Sequence, residues 1–125
     1  MIYGIGTDIV EIPRMEAALR RWGERLTARV FTEEEVAYGN GAANPANRFA
    51  LRFAAKEAFV KALGTGFRTG ISFRQIEVTH DPNGSPALRL HGRARAVVTE
   101  KEIGKSFLSL SDDGSYAVAF VVLEF

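Results

Sequence analysis

The sequence predicts a small α+β fold, and three observations carry that prediction. Residues 2–12 are rich in Ile and Val and read as a strand. Residues 45–63, PANRFALRFAAKEAFVKAL, are strong helix formers closed by Gly64. Two further strand pairs flank the turn signals DPNG and DDGS. The 125 residues have 46% hydrophobic and 25% charged content, which suits one domain with a modest core and excludes a wholly disordered chain. We therefore expect a single domain over 1–125.

The elements follow in order. Gly4 and Gly6 interrupt the first strand, a pattern that lets another backbone or a ligand come close. Pro13 suits the first turn of a helix on which Met15, Ala18, Leu19, Trp22 and Leu26 share one face. Arg14, Arg21 and Arg25 form a second stripe at spacings of seven and four. Thr32 and Glu35 have the spacing of a capping box, predicting a short helix to about Tyr38, with GNGAAN at 39–44 as a mobile loop. Asn44 and Pro45 predict the cap and first position of the long helix. Strands are expected at 72–79 and 86–91, a helix at 92–103 ended by Gly104, and strands at 106–111 and 116–124.

Composition narrows function. There is no cysteine, so a disulfide framework, a zinc ribbon and a thiol nucleophile are excluded. A formal charge of +1 argues against a nucleic-acid coat protein, and the aromatics form no RNA-recognition pattern. No apolar run approaches the roughly 18 residues of a membrane span. The N-terminus lacks a basic region and carries Asp8 within its apolar stretch, so it does not read as a signal peptide. A cytoplasmic location is the expectation.

The long helix holds the chemistry. Arg48, Arg52 and Lys56 lie four apart on one face, and Phe53, Glu57 and Lys61 on another. Glu57 sits at the edge of an apolar stripe and needs compensation, from Lys61, a metal or a polar network. From the helix alone, Glu57 and Lys61 also read as a plain surface pair. Asp8, an acid in an apolar strand, reads either as a strand-end acid bonded to amides or as an oxygen ligand. Asp8 and Glu57 together could hold Mg²⁺, which takes one or two carboxylates and completes its shell with waters and substrate phosphates. Arg48, Arg52, Lys56 and Lys61 could balance phosphate charge. Gly64-Thr65-Gly66 could approach a phosphate but is not a Walker sequence, and alone it reads as a helix cap and turn. His80 and His91 read as structural or exposed.

GIGTDIVEIPR at 4–14, RFAAKEAFVKALGTG at 52–66 and the terminal LSLSDDGSYAVAFVVLE resemble the bacterial holo-acyl-carrier-protein synthases, with FTEEE and NGSPALRL in the expected order between them. That family belongs to the 4′-phosphopantetheinyl transferases. The resemblance implies a long helix packed on a curved antiparallel sheet, and a homotrimer with active sites between subunits. It implies transfer of 4′-phosphopantetheine from coenzyme A to a serine of apo-acyl carrier protein, releasing adenosine 3′,5′-bisphosphate, for fatty acid synthesis. Asp8 and Glu57 match the metal-binding acids, so Mg²⁺ is the implied cofactor, and Lys61 matches the lysine at the diphosphate. Catalysis would rest on Asp8, Glu57 and Lys61. Arg52 matches a basic residue near the nucleotide phosphates, beside Lys56. Gly64, Thr65 and Gly66 match the loop approaching coenzyme A. Arg14, Arg21 and Arg25 match the helix that docks the acidic carrier. The base for the carrier serine could be Glu57, a metal-bound water or the substrate itself. Asp112 stands where many members have His, which removes an imidazole from the nucleotide side. Two alternatives are a transferase serving polyketide or peptide carrier domains, and a carrier-binding module without catalysis.

Overall fold

Three antiparallel strands make the floor on which the long helix rests. The computed structural model describes residues 1–125. β1 (Ile2–Glu11), β4 (Lys105–Asp113) and β5 (Tyr116–Glu124) pair in the order β1-β5-β4. Asp8 faces Ala119 in the register, and Asp112 faces Ala117. β4 and β5 are joined by Gly114 and Ser115, with Gly114 at φ 59, as a two-residue hairpin prefers. β2 (Ile76–His80) and β3 (Pro86–Leu90) form a separate hairpin behind a 3-10 turn at Phe73–Gln75.

The long helix, α4 (Pro45–Leu63), keeps the predicted bounds and ends on Gly64 at φ 85. It packs against β1 and β5 through Ala54, Ala55, Ala58 and Ala62, which meet Ala119, Val121 and Leu123. The strand glycines explain the closeness of this packing. A methyl built on Gly4 would overlap the carbonyl oxygen of Ala62, and one on Gly6 that of Ala58. Gly4, Gly6 and Asp8 alternate onto the same face of β1. The two glycines therefore bring the strand against the helix, and Asp8 follows them onto that side.

A second core cluster, with Ile12, Met15, Phe31, Phe49 and Ala50, joins α1 (Ile12–Trp22), α2 (Glu24–Val30) and α4. Here the structure departs from the single early helix of the sequence reading. Gly23, at φ 52 and ψ −128, separates α1 from α2. Trp22 is left half exposed rather than in the core. α3 (Glu33–Asn40) has the expected capping box: Glu35 N–H donates to Thr32 Oγ1 at 3.2 Å, and Thr32 N–H to Glu35 Oε1 at 2.9 Å. It runs two residues past Tyr38, because Gly39 is a packing residue and not part of a loop. Gly39 is buried, and a Cβ there would strike the ring of Phe49. α5 (Gly92–Glu100) stops short of the predicted 103, and β4 is longer than predicted at both ends. No helix is long and apolar enough to cross a membrane.

Candidate active site

β1 and α4 bring Asp8, Glu57 and Lys61 together. Lys61 Nζ donates to Asp8 Oδ1 at 2.9 Å and to the carbonyl of Thr7 at 3.1 Å. Lys61 therefore bridges helix to strand instead of closing the i,i+4 surface pair with Glu57. Asp8 and Glu57 line one cleft of about 480 Å³. Its other walls are Ile9, Val10 and Glu11 of β1, Arg14, Met15 and Ala18 of α1, Leu26 of α2, Phe53 of α4 and Tyr116 of β5. The start of α1 is pinned beside it, because Ile12 N–H donates to the carbonyl of Ser115 at 2.7 Å.

Burial against this apolar wall pushes the Glu57 carboxyl above its ordinary pKa; the charge of Asp8 pushes the same way, and Lys61 opposes both. A buried carboxyl facing a second acid favours added positive charge beside it. Lys61 already supplies one ammonium to Asp8. The donor set is two hard-oxygen carboxylates, which suits Mg²⁺ completed by water and phosphate oxygens. No group of three or more metal-ligating side chains occurs anywhere in the chain. Gly64 and Gly66 begin the loop within one turn of Lys61, with Gly66 at φ 59 and Thr65 Oγ1 donating to the Gly66 carbonyl at 2.9 Å.

The remaining predicted residues lie elsewhere. Arg52 stands five positions before Glu57, about 140° around the helix, and does not reach the cleft. It stacks on Tyr38, its Cζ 4.1 Å from the ring centroid, with Arg48 on the same ring at 3.9 Å. Asp112 accepts a hydrogen bond from Asn47 Nδ2 at 3.2 Å, near the start of α4. Lys56 does not stand at a phosphate site. It is 0% exposed, and its Nζ donates to Glu35 Oε1 at 2.8 Å and to the carbonyls of Phe73 at 2.9 Å and Ile76 at 2.7 Å. With all its N–H groups used inside the core, Lys56 is a structural ion-pair partner and has none left for a cofactor.

The arginine stripe divides. Arg14 is a wall of the acid cleft, whereas Arg25 lines an adjoining depression with Trp22, Leu26 and Arg29, and Arg21 lies 4.9 Å over Trp22. Leu26 belongs to both depressions, so the basic surface abuts the cleft. Sequence reasoning missed Phe53, Met15 and Tyr116 as cleft walls and Trp22 and Arg29 beside the arginines. The spacing of Trp22 places it on the apolar face of the early helix, and the structure leaves it half exposed there.

A long helix on an antiparallel sheet, with paired carboxylates opening on a cleft beside a basic surface and a lysine bonded to one of them, defines an enzyme of the 4′-phosphopantetheinyl transferase class. The family model described as 4′-phosphopantetheinyl transferase superfamily matches residues 4–121, and the chain belongs to that family. It is 48% identical over 124 residues to the holo-[acyl-carrier-protein] synthase of Geobacter sulfurreducens, covering 99% of this chain and 98% of the relative. The crystal structure of the holo-[acyl-carrier-protein] synthase from Neisseria meningitidis superposes with a TM-score of 0.93 at 42% identity, covering all of both chains. That from Bacillus anthracis, solved in complex with CoA (3′,5′-ADP), superposes with a TM-score of 0.81 at 38% identity, covering 99% of this chain and 97% of the other.

Proposed function

We propose that the whole chain acts as one transferase domain whose active site is completed by a neighbouring copy. The reaction is that of its family: 4′-phosphopantetheine moves from coenzyme A to a serine hydroxyl of apo-acyl carrier protein, and adenosine 3′,5′-bisphosphate leaves. The observation that carries this reading is the pair Asp8 and Glu57 on one cleft, with Lys61 bonded to Asp8. Asp8 and Glu57 would hold Mg²⁺, which when bound offsets the charge of the diphosphate and polarises it. Lys61, with its side chain half exposed, can leave Asp8 to meet charge building on the phosphoryl group and the leaving oxygen. The apolar wall of Met15, Ala18, Leu26 and Phe53 excludes water beside the acids. Arg52 holds the nucleotide phosphates, and the Gly64–Gly66 loop admits the coenzyme; Asp112 stays on Asn47 near the start of α4. The test is mass spectrometry of apo-acyl carrier protein incubated with coenzyme A and Mg²⁺. A phosphopantetheine adduct is expected; carrier binding with no adduct would make this chain a docking module instead.

Two features support a homotrimer with shared sites. Arg52 and the acid pair open on different sides of α4, about 140° apart around the helix, so the nucleotide subsite and the acid cleft do not share one depression within a single chain. The outer face of the sheet is also apolar and uncovered: Ile5 and Ile9 of β1, Phe120 and Tyr116 of β5 and Phe107 of β4 are each about half exposed or more. Cross-strand register sets Ile5, Val122 and Phe107 in one row. Contiguous apolar surface of this kind marks an interface. Light scattering is expected to give about three times the chain mass of 13.7 kDa. Phe120→Asp should yield monomers that lose transfer, and a fully active monomer would remove the shared site.

Carrier docking is assigned to Arg14, Arg21 and Arg25, flanked by Trp22 and Arg29. Arg21→Glu with Arg25→Glu should raise KM for the carrier about tenfold, since each reversed exposed pair changes binding by about 0.5–1 kcal/mol. The effect should shrink at high salt, and KM for coenzyme A should change little. Equal carrier KM at all salt concentrations would return this stripe to ordinary solvated surface.

A further inference from the structure

On the far side of α4 from the acids, one aromatic ring gathers three nitrogen bases. Arg48 and Arg52 lie over Tyr38, and the His80 ring packs against the same tyrosine at a centroid distance of 5.0 Å. Arg48 Nη1 donates to the carbonyl of Tyr38 at 2.7 Å. Arg52 has no carboxylate partner: its hydrogen-bond contact is from Nη2 to His80 Nδ1 at 3.4 Å. Its side chain is nearly buried, yet Nε has no partner. Of the carboxylates lining this depression, Glu35 is engaged by Lys56 and Glu77 by His91 and Thr32, while Glu34 makes no ion pair with either arginine. Two arginines without counter-ions, one with an unsatisfied buried donor, mark a place for an anion.

An arginine can only donate, so the Arg52–His80 contact exists only while Nδ1 carries no proton. We propose that His80 is a ligand and specificity residue for a phosphate monoester at this subsite: the incoming dianion takes over the Arg52 guanidinium, Nδ1 is released, and the imidazole binds a proton from solvent to meet the phosphate as a cation. This rests on the transferase reading, under which the monoester is the 3′-phosphate of coenzyme A. Before binding, burial and then the charges of Arg52 and Arg48 hold the His80 pKa below its ordinary value, with Asp81 opposing. Tyr38 and Glu34 face the depression from α3, and Glu77 and Arg89 from the hairpin. A dianion on the two arginines reverses the local field, so the proton is taken up on binding.

Calorimetry of metal-free protein with coenzyme A and with 3′-dephospho-coenzyme A, in buffers of different ionisation enthalpy, tests this. Proton uptake is expected with coenzyme A and not with its dephospho form. The preference for coenzyme A should weaken as pH rises through the window between the free and bound His80 pKa values, approaching tenfold per unit. His80→Asn should abolish both effects, and His91→Asn should abolish neither. Wild-type transfer to the carrier together with unchanged proton uptake in His80→Asn overturns the role of His80. His80-dependent uptake without transfer in the presence of Mg²⁺ overturns the transferase reading alone, and no binding of either compound to the metal-free protein overturns the role of His80.

Discussion

Glu57→Gln and Asp8→Asn are each expected to lower transfer to the carrier by about 10²–10³-fold, the scale of removing one preorganised charge from a group-transfer site. An amide keeps the size and one oxygen of the carboxylate but not the charge that would hold Mg²⁺. Loss of fold would give the same kinetics, so stability must be read alongside. The sign can be worked out for Glu57. Its folded pKa lies above the unfolded value because it is desolvated and faces Asp8. The folded state thus holds the proton more tightly, and ionising Glu57 costs folding stability as pH rises between the two values. That cost is fully present above the folded value. Glu57→Gln removes it, so the inactive variant should melt no lower than wild type at pH 7, and its advantage should fade in acid. Asp8→Asn removes both a repulsion and the partner of Lys61, and in that variant the Glu57 carboxyl should titrate at lower pH by NMR. Normal turnover by folded Glu57→Gln in metal-controlled buffer would sink the assignment.

Much of this site can be read in the sequence because its signals are local. An aspartate in an apolar strand and a glutamate on the edge of an alanine-rich helical face are anomalies at their own positions. Gly4 and Gly6 announce close approach, although not to what. The structure supplies the partner, the α4 backbone at Ala58 and Ala62. Other features are invisible at that range. The spacing of Trp22 and Leu26 continues the α1 stripe across Gly23. A helical glycine costs only about 1 kcal/mol relative to alanine, so the residue alone does not stop a helix. Its backbone at φ 52 and ψ −128 does. Lys56 was read through the four-residue spacing of Arg48, Arg52 and Lys56, which is also the spacing of a solvated stripe. What decides its role is the covering of that stripe by α3 and the hairpin, from residues far along the chain.

Lys56→Met should therefore destabilise the protein rather than weaken coenzyme binding. The ammonium is enclosed by Glu35 and the carbonyls of Phe73 and Ile76. Glu35 is itself a junction: Oε1 also caps α3 through Thr32 N–H, and Oε2 accepts Val78 N–H of β2 at 2.9 Å. Removing the lysine leaves a fully buried carboxylate without its cation, a loss of about 3–5 kcal/mol. That is a large part of the roughly 5–15 kcal/mol by which a domain is stable. The melting temperature should fall by on the order of 10–20 °C. Glu35→Gln alone strands the ammonium in turn, while Lys56→Met with Glu35→Gln removes both charges and leaves an amide oxygen for Val78. The double variant should be more stable than the sum of the single losses by about 1–3 kcal/mol, the coupling of residues in direct contact. Arg52→Ala gives the contrast, since Arg52 has no such junction and its loss should appear in KM for coenzyme A. If Lys56→Met melts like wild type while KM for coenzyme A rises, Lys56 belongs to the phosphate site after all.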